Sequence, residues 1–260
     1  MSVYAYPSQG PPAGSEVVVV FVHGAGSDHT VWRYQTRWLV GRGVAVWAPD
    51  LPGHGRSGGE PMASIEDWAK WLAFEIGDLG SPTVVGHSMG SLIALETAVA
   101  HPGSVGRLLL VGAAAEMPVH PDLIAAAEED LPRAAAMIAE WSMPPAHRGG
   151  HLEPGLWEQG GVRRIVERSR PGVLAADLRA CAAYDGTSRA EACVVPTTVV
   201  AGSEDRMVRA RASRQLAQAI PGARYVEIAG AGHEPMLQNP REFNRLLWEI
   251  LASDGKGSGL

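Results

Sequence analysis

Short apolar runs recur along the chain with the spacing of strands in a parallel sheet. They are almost continuously apolar and rich in valine, as is typical of strands buried on both faces. The runs are EVVVVFVH (16–23), VAVWAPDL (44–51), PTVVGHS (82–88), RLLLVGA (107–113), TTVVAGS (197–203) and RYVEIAG (224–230). Segments with helical periodicity separate them, at about 31–41, 65–78, 89–100, 209–219 and 240–252. The alternation predicts an α/β fold with a mostly parallel central sheet flanked by helices.

One long segment interrupts this alternation. Residues 114–192 contain no convincing strand, and two alanine-rich stretches within them, at 120–141 and 171–185, have helical patterns. Between two sheet strands, a segment of this length is most simply an inserted helical subdomain. We therefore predict a core made of residues 1–113 and 193–260 and a helical cap made of residues 114–192.

A serine lies between two glycines where the third apolar run gives way to a helix. The five residues Gly86-His87-Ser88-Met89-Gly90 match the pattern G-x-S-x-G. In such a tight turn the glycines leave room where a Cβ would clash, and the serine hydroxyl rises above the carboxyl edge of the sheet. Ser88 is therefore a candidate nucleophile. The pattern alone leaves open that it is only a structural turn residue.

Partners for Ser88 follow it in the chain. A serine hydroxyl is a weak nucleophile, so it requires a base, and the base must be oriented by an acid. Glu204 and Asp205 come directly after one predicted strand, and His233 comes after the next. All lie at the strand edge of Ser88, in the chain order nucleophile, acid, base. We predict that His233 is the base, and we favour Asp205 over Glu204 as the acid.

Attack on a carbonyl creates an oxyanion, which requires preorganised N–H donors. The backbone N–H of Met89, the residue after the nucleophile, is one predicted donor. Ala25 is predicted to provide the other, from the loop HGAGSDHTVW (23–32), where glycines allow the backbone to approach closely. We further expect the substrate pocket to be lined by Gly24, Trp141, Trp157 and Met207.

Other polar residues near these motifs are interpreted as structural. His87 should point away from the site along the turn, His23 should order its loop, and His54 lies in a glycine-flanked loop. Three arginines of the predicted cap are interpreted as a solvated helix face rather than a site for a charged substrate. They are Arg163, Arg164 and Arg168.

Composition narrows the range of partners. The net charge is −6 and no basic stripe is present, which argues against nucleic acid. The longest apolar run is too short for a membrane helix, and the N-terminus has no secretory pattern. Two cysteines and nine scattered histidines fit a reducing cytoplasm and give no metal-ligand spacing. We expect a cytoplasmic protein with no metal, no cofactor and no membrane insertion, and the sequence leaves the oligomeric state open.

Five motifs together resemble the α/β-hydrolase family. They are HGAG (23–26), DLPGHGRS (50–57), GHSMG (86–90), GSEDRMV (202–208) and GAGH (230–233), and they follow the family's order. The resemblance implies the α/β-hydrolase fold, with residues 114–192 in the place of the family's cap. It also implies that Asp205 is the acid, because the family places its acid three residues after the glycine that corresponds to Gly202. By the same comparison, Ala25 follows the His-Gly pair and is the second oxyanion donor.

These residues predict a serine hydrolase of the carboxylesterase type. It would cleave a small or medium carboxylic ester through an acyl-enzyme intermediate, with Ser88, Asp205 and His233 as the triad. A carbon–carbon bond hydrolase of ring-cleavage products, or an enol-lactonase, would use the same triad and stays open as an alternative. A non-catalytic ligand-binding member of the fold is a further alternative, against which the intact triad argues.

Overall fold

A seven-stranded sheet forms the centre of the computed structural model, which describes residues 2–7, 18–145 and 157–252. The strands are β1 (Ala5–Tyr6), β2 (Val18–Val22), β3 (Ala45–Pro49), β4 (Thr83–His87), β5 (Arg107–Val111), β6 (Thr197–Gly202) and β7 (Arg224–Ile228). Their spatial order is β1-β3-β2-β4-β5-β6-β7, and only the β1–β3 pair is antiparallel. The six predicted runs form β2–β7. The two-residue β1 was not predicted, because two residues are too few for a pattern.

Helices cover both faces of this sheet. Those of the core are α1 (Arg33–Val40), α2 (Ile65–Ile76), α3 (Met89–Ala100), α9 (Ala210–Ala219), α10 (Pro235–Gln238) and α11 (Pro240–Ala252), with 3₁₀ turns at His29–Trp32 and Gly77–Leu79. Helices α2, α3 and α9 pack on the apolar core that contains Val18, Val20 and Val22, whereas α1 and α11 pack on the core that contains Val19 and Phe21. Burial on both faces explains why the strand sequences are almost continuously apolar.

In the described part of the chain between β5 and β6, every regular element of secondary structure is a helix. These helices are α4 (Pro121–Glu129), α5 (Leu131–Ser142), α6 (Glu158–Glu167), α7 (Val173–Ala183) and α8 (Thr187–Ala192), and we call them the inserted helices. Asp130 separates α4 from α5, and its carboxylate accepts the Arg133 backbone N–H at 3.1 Å. The isolated bridge between Glu116 and Asp185 is the one β pairing of this segment that the described residues contain.

Polar contacts fasten the inserted helices to the core. Tyr184 donates its hydroxyl to Oε2 of the buried Glu96 in α3 at 2.7 Å, and Nε of Arg189 lies 2.9 Å from the same oxygen. On another side, Nη2 of Arg170 donates to the carbonyl oxygen of Ser57 at 2.5 Å. The residues between β5 and β6 are thus tied both to the helix that follows Ser88 and to the loop that follows β3. In the described part of the chain, every helix is too short or too polar to cross a bilayer.

Candidate active site

Ser88 occupies a strained turn at the carboxyl end of β4, the central strand. Its backbone has φ +53° and ψ −120°, a region that residues with side chains rarely adopt. A Cβ at Gly86 would collide with the carbonyl oxygen of Gly90, and a Cβ at Gly90 would collide with that of Val22. Glycine is therefore required on both sides of the serine, as the sequence pattern predicted.

Hydrogen bonds on both sides hold this turn in place. The backbone N–H of Ser88 donates to the carbonyl oxygen of Val111 in β5 at 2.9 Å. The carbonyl oxygen of Ser88 accepts the N–H of Ser91 at 2.8 Å and the Ser91 hydroxyl at 2.5 Å. The first turn of α3 and the neighbouring strand thus stabilise a conformation that is unfavourable for an isolated serine.

Asp205 and His233 meet after β6 and β7. Nδ1 of His233 lies 2.8 Å from Oδ2 of Asp205. The other carboxylate oxygen accepts the backbone N–H groups of Met207 and Val208, at 2.8 and 2.9 Å. Glu204 is exposed to solvent, so the structure places Asp205 and not its neighbour against the histidine.

The surroundings of His233 favour its charged form. Burial opposes the charge, but the Asp205 carboxylate outweighs burial and raises the pKa of His233 above its ordinary value. Since Nδ1 is bonded to Asp205, Nε2 is the ring atom that remains for a proton from another group.

Ser88 and His233 border one cavity of about 580 Å³. Ala25, Gly24, Trp141 and Met207 border it too, in agreement with their predicted positions. The side chain of Met89 is fully buried. As the first residue of α3, however, Met89 has a backbone N–H with no acceptor within the helix.

Trp157 does not lie where the sequence analysis predicted. It is absent from the cavity wall and 60% exposed. Its ring lies against Gly160 of the helix that it precedes, where a Cβ would collide with it. Gly160, three residues further along the chain, therefore provides the surface on which the Trp157 ring packs, and the ring does not enter the cavity.

The inserted helices give the cavity an apolar wall. The helices contribute Leu123, Ile138, Trp141, Val162, Ile165, Val166, Leu178 and Cys181. The residues before the first of these helices also border the cavity, and they include Met117 and Val119 as well as the polar Glu116 and His120. The three cap arginines are not among them: Arg163 and Arg164 pair with Glu167, at 2.7 and 3.4 Å, and Arg168 lies 3.9 Å from Asp28. Their interpretation as a solvated helix face is consistent with these contacts.

Polar residues that were not predicted also border the cavity. Arg206 and Arg209 follow Asp205 on its loop, and Glu234 follows His233. Burial raises the pKa of Glu234 to about 7. No local pattern marks these positions, and their proximity in sequence to the predicted acid and base was the one available signal.

His87 links the nucleophile turn to the base. Its Nε2 donates to the carbonyl oxygen of His233 at 2.9 Å, and the two ring centroids lie 4.8 Å apart. Burial lowers the pKa of His87 well below its ordinary value, so the ring is neutral. The hydrogen bond is consistent with the predicted structural role, but His87 borders the cavity and does not point away from the site.

One cluster of possible metal ligands lies apart from the triad. Donor atoms of Asp28, His29 and Asp50 lie within 4.8 Å of one another. Their oxygens already accept hydrogen bonds: Oδ1 of Asp50 from the backbone N–H of His29 at 2.8 Å, and Oδ1 of Asp28 from that of Thr30 at 2.8 Å. These contacts account for the cluster as a brace of the loop between β2 and α1.

Comparison with known proteins gives the following similarities. A family model described as "Alpha/beta hydrolase family" matches residues 19–246. The chain is 29% identical over 250 residues to a pimeloyl-(acyl-carrier protein) methyl ester esterase of Aromatoleum aromaticum, covering 90% of this chain and 97% of that protein. It is 28% identical over 248 residues to a putative carbamate hydrolase of Klebsiella pneumoniae, covering 91% of each.

A solved structure supports the same fold. The enol-lactonase from Burkholderia xenovorans LB400 matches with a TM-score of 0.84 and 22% identity, over 96% of this chain and 95% of that one. At this identity the likeness bears on the fold alone.

Proposed function

Because the chain belongs to the alpha/beta hydrolase family, we propose that it is a serine hydrolase that cleaves a carboxylic ester through an acyl-enzyme intermediate. One observation carries the proposal: His233, bonded to Asp205 at 2.8 Å, borders the same cavity as a serine held in a strained strand-to-helix turn. Nucleophile, acid and base thus follow the parallel strands β4, β6 and β7, at the same edge of the sheet.

In the first half-reaction, Oγ of Ser88 attacks the ester carbonyl carbon while Nε2 of His233 takes the hydroxyl proton. Asp205 stabilises the imidazolium that forms. The carbonyl oxygen becomes an oxyanion, and the N–H groups of Ala25 and Met89 donate hydrogen bonds to it. When the tetrahedral intermediate collapses, the C–O bond to the alcohol breaks and the alcohol leaves with the proton from His233.

In the second half-reaction, water replaces the alcohol. Nε2 of His233 removes a proton from water, and the resulting hydroxide attacks the acyl carbon. Collapse of this second intermediate breaks the bond to Oγ of Ser88, which recovers the proton from His233. The products are one carboxylic acid and one alcohol, and the enzyme returns to its starting state.

The cavity supports a substrate with an apolar acyl or alcohol group. The inserted helices contribute leucine, isoleucine, valine and tryptophan side chains to its described wall, and apolar surfaces of this kind favour apolar ligands. We propose accordingly that residues 114–192 act as a cap over the site. The curated relative that is named a methyl ester esterase supports an ester as the substrate class.

The proposal is tested by replacing the nucleophile. Ser88→Ala should lower kcat for p-nitrophenyl esters by about 10⁴-fold or more, whereas Ser104→Ala, remote from the cavity, should leave it unchanged. A fluorophosphonate should add one adduct to the wild-type protein and none to Ser88→Ala, as measured by intact mass. Near-wild-type ester hydrolysis by Ser88→Ala would overturn the assignment.

Substrate class is resolved in the same assay. Esters of increasing acyl length are compared with a lactone and with a vinylogous diketone. The proposal expects the esters to give the highest kcat/KM. Faster turnover of the lactone or of the diketone, still dependent on Ser88, would replace it with a lactonase or a carbon–carbon bond hydrolase.

A further inference from the structure

A buried carboxylate of helix α7 reaches the loop that carries Ala25. Oδ2 of Asp177 accepts the backbone N–H of Gly26 at 2.8 Å, across 151 positions of sequence. Nε2 of His54 lies 2.7 Å from the same oxygen, and both side chains are fully buried. A single oxygen atom therefore joins the inserted helices to two loops of the core.

The two side chains form an ion pair. Nδ1 of His54 lies 3.0 Å from the carbonyl oxygen of Pro52, which can only accept, so this nitrogen carries a proton. Nε2 lies 2.7 Å from an oxygen of the Asp177 carboxylate, which can only accept, so Nε2 carries a proton as well. Burial opposes the resulting charge, but the Asp177 carboxylate outweighs it and raises the pKa of His54. A buried pair of this kind is only weakly screened by salt.

The neighbouring histidine does not share this charge. The ring centroid of His23 lies 5.0 Å from that of His54. Burial and the charge on His54 lower the pKa of His23 to about 4. Its Nδ1 donates to the carbonyl oxygen of Gly24 at 2.9 Å, and its Nε2 accepts the N–H of Leu51 at 3.0 Å. His23 thus orders the start of the loop as a neutral ring, and the positive charge stays on His54.

The loop is a tight turn, and turns of this kind occur in two related forms that differ by the reversal of one peptide. The N–H of Ser27 donates to the carbonyl oxygen of Gly24 at 3.2 Å, and Gly26 has φ +61°. This combination is a type II turn. The type I form requires a negative φ at Gly26 and reverses the peptide between Ala25 and Gly26. The Gly26 N–H would then leave Asp177, so the carboxylate favours the observed form.

Helix α7 also holds the turn by packing. Leu174 precedes Asp177 by three residues, which places the two side chains on one side of the helix. A Cβ on Gly26 would lie 2.7 Å from Cδ1 of Leu174, so the leucine side chain would have to shift to admit one. One face of one inserted helix therefore fixes the turn through both a hydrogen bond and a contact.

We propose that Asp177 is a positioning residue for the oxyanion loop, residues 23–27, and that its bond to the Gly26 N–H fixes the place of the turn whose preceding peptide presents the Ala25 N–H to the cavity. His54 supplies the countercharge that lets the carboxylate stay buried. The inference rests on the proposed function, because the direction of this N–H matters to the rate only if the enzyme binds an oxyanion. It gives the inserted helices a part in catalysis as well as in substrate binding.

The test compares Asp177→Ala with wild-type protein on a p-nitrophenyl ester. Misplacement of one oxyanion donor should lower kcat by roughly 10- to 100-fold, with KM within about threefold of wild type. The affinity of an alkylboronic acid, which bonds to the serine as a tetrahedral adduct, should fall in parallel with kcat. Asp177→Asn, which keeps an acceptor oxygen for the Gly26 N–H, should recover part of the loss.

Two further variants separate positioning from loss of structure. Tyr184→Phe breaks another tether of the same segment without touching the loop, and it should keep wild-type kcat and boronate affinity. In Asp177→Leu/His54→Leu both charges are removed together, so no unpaired charge is buried if Asp177→Ala fails to fold. This double variant should show the same loss of kcat and of boronate affinity.

The outcomes distinguish the two proposals. If Ser88→Ala keeps wild-type ester hydrolysis, the proposed function fails. If hydrolysis depends on Ser88 but the folded Asp177 variants keep kcat and boronate affinity within twofold of Tyr184→Phe, the positioning role fails and the proposed function stands. A change in KM alone would likewise contradict positioning.

Discussion

Ser88 adopts a backbone conformation that costs a residue with a side chain about 1–3 kcal/mol, and Val111 and Ser91 hold it there by hydrogen bonds. The strain is local, whereas its support comes from β5 and α3. At the residue scale, the nucleophile position was predictable because the two glycines that the tight turn requires, Gly86 and Gly90, lie within two residues of the serine. The positions that complete the site lie far from it in sequence.

The charge on His233 leads to a prediction about pH. The base must be neutral to act, and Asp205 raises its pKa, so kcat/KM should fall with decreasing pH through a value above about 6.5. In Asp205→Asn the carboxylate that raises the pKa of His233 is lost, whereas the burial that lowers this pKa remains. The acidic limb of the kcat/KM profile should therefore move to lower pH, while kcat falls by about 10⁴-fold. Rates measured from pH 5 to 9 provide the check. Glu204→Gln, an exposed neighbour, should keep the wild-type profile, and an unmoved limb in Asp205→Asn would contradict the assignment of the acid.

At the scale of elements, the parallel strands and the helices between them were largely predictable. Runs buried on both faces are nearly continuously apolar, and the helical periods of α2, α3, α9 and α11 give boundaries within two residues of those observed. The chain order of the triad also follows from this topology, because each group comes directly after a strand. The contact between Asp177 and Gly26 was not predictable, because it depends on how α7 packs over a loop 151 positions away.

The two tryptophans of the inserted segment show the same limit. Trp141 borders the cavity, whereas Trp157 packs on Gly160 and is mostly exposed. Both were predicted to line the pocket because the sequence shows that their side chains are large and apolar, as pocket-lining side chains often are. Sequence does not report the direction in which the side chain leaves a helix whose own orientation is set by tertiary packing.

This pair provides a matched test of acyl-chain recognition. Trp141→Ala should raise KM for a long-chain p-nitrophenyl ester by roughly three- to tenfold, because apolar contact with the chain is lost, and should leave the acetate ester nearly unchanged. Trp157→Ala should change neither value. Equal effects of the two substitutions on the long-chain ester would show that Trp141 does not contact the substrate.

At the scale of the whole molecule, the inserted helices and the sheet are joined by buried polar bonds as well as by apolar packing. Glu96 in α3 accepts from Tyr184, while Oδ2 of Asp177 accepts from Gly26. The backbone N–H of His233 donates to the carbonyl oxygen of Ser142 at the end of α5, at 2.9 Å. Helix α7, together with the residue that follows it, and the end of α5 are thus bonded to the core.

The bond to Glu96 should contribute to global stability. Burial and Glu96 together raise the pKa of Tyr184, so its hydroxyl remains a donor to the carboxylate. Hydrogen bonds to charged groups contribute about 1.5–3 kcal/mol, and Tyr184→Phe should lower the free energy of unfolding by that amount. Tyr225 makes the same bond to Glu227 at an exposed position, 2.7 Å, so Tyr225→Phe should cost less than about 0.5 kcal/mol. Denaturant titration of both variants measures the difference, and equal losses would contradict it.

The hydrogen bond from His87 to the carbonyl oxygen of His233 has a consequence for double-mutant experiments. His87 directly precedes the nucleophile, so one imidazole supports the backbone of both reacting residues. Damage to this support displaces Ser88 and His233 together, and the losses caused by His87→Ala and by a substitution at either partner will not sum. In free-energy terms, we expect the nucleophile and the base to behave as a single thermodynamic unit, although Ser88 and His233 are separated by 145 positions in sequence.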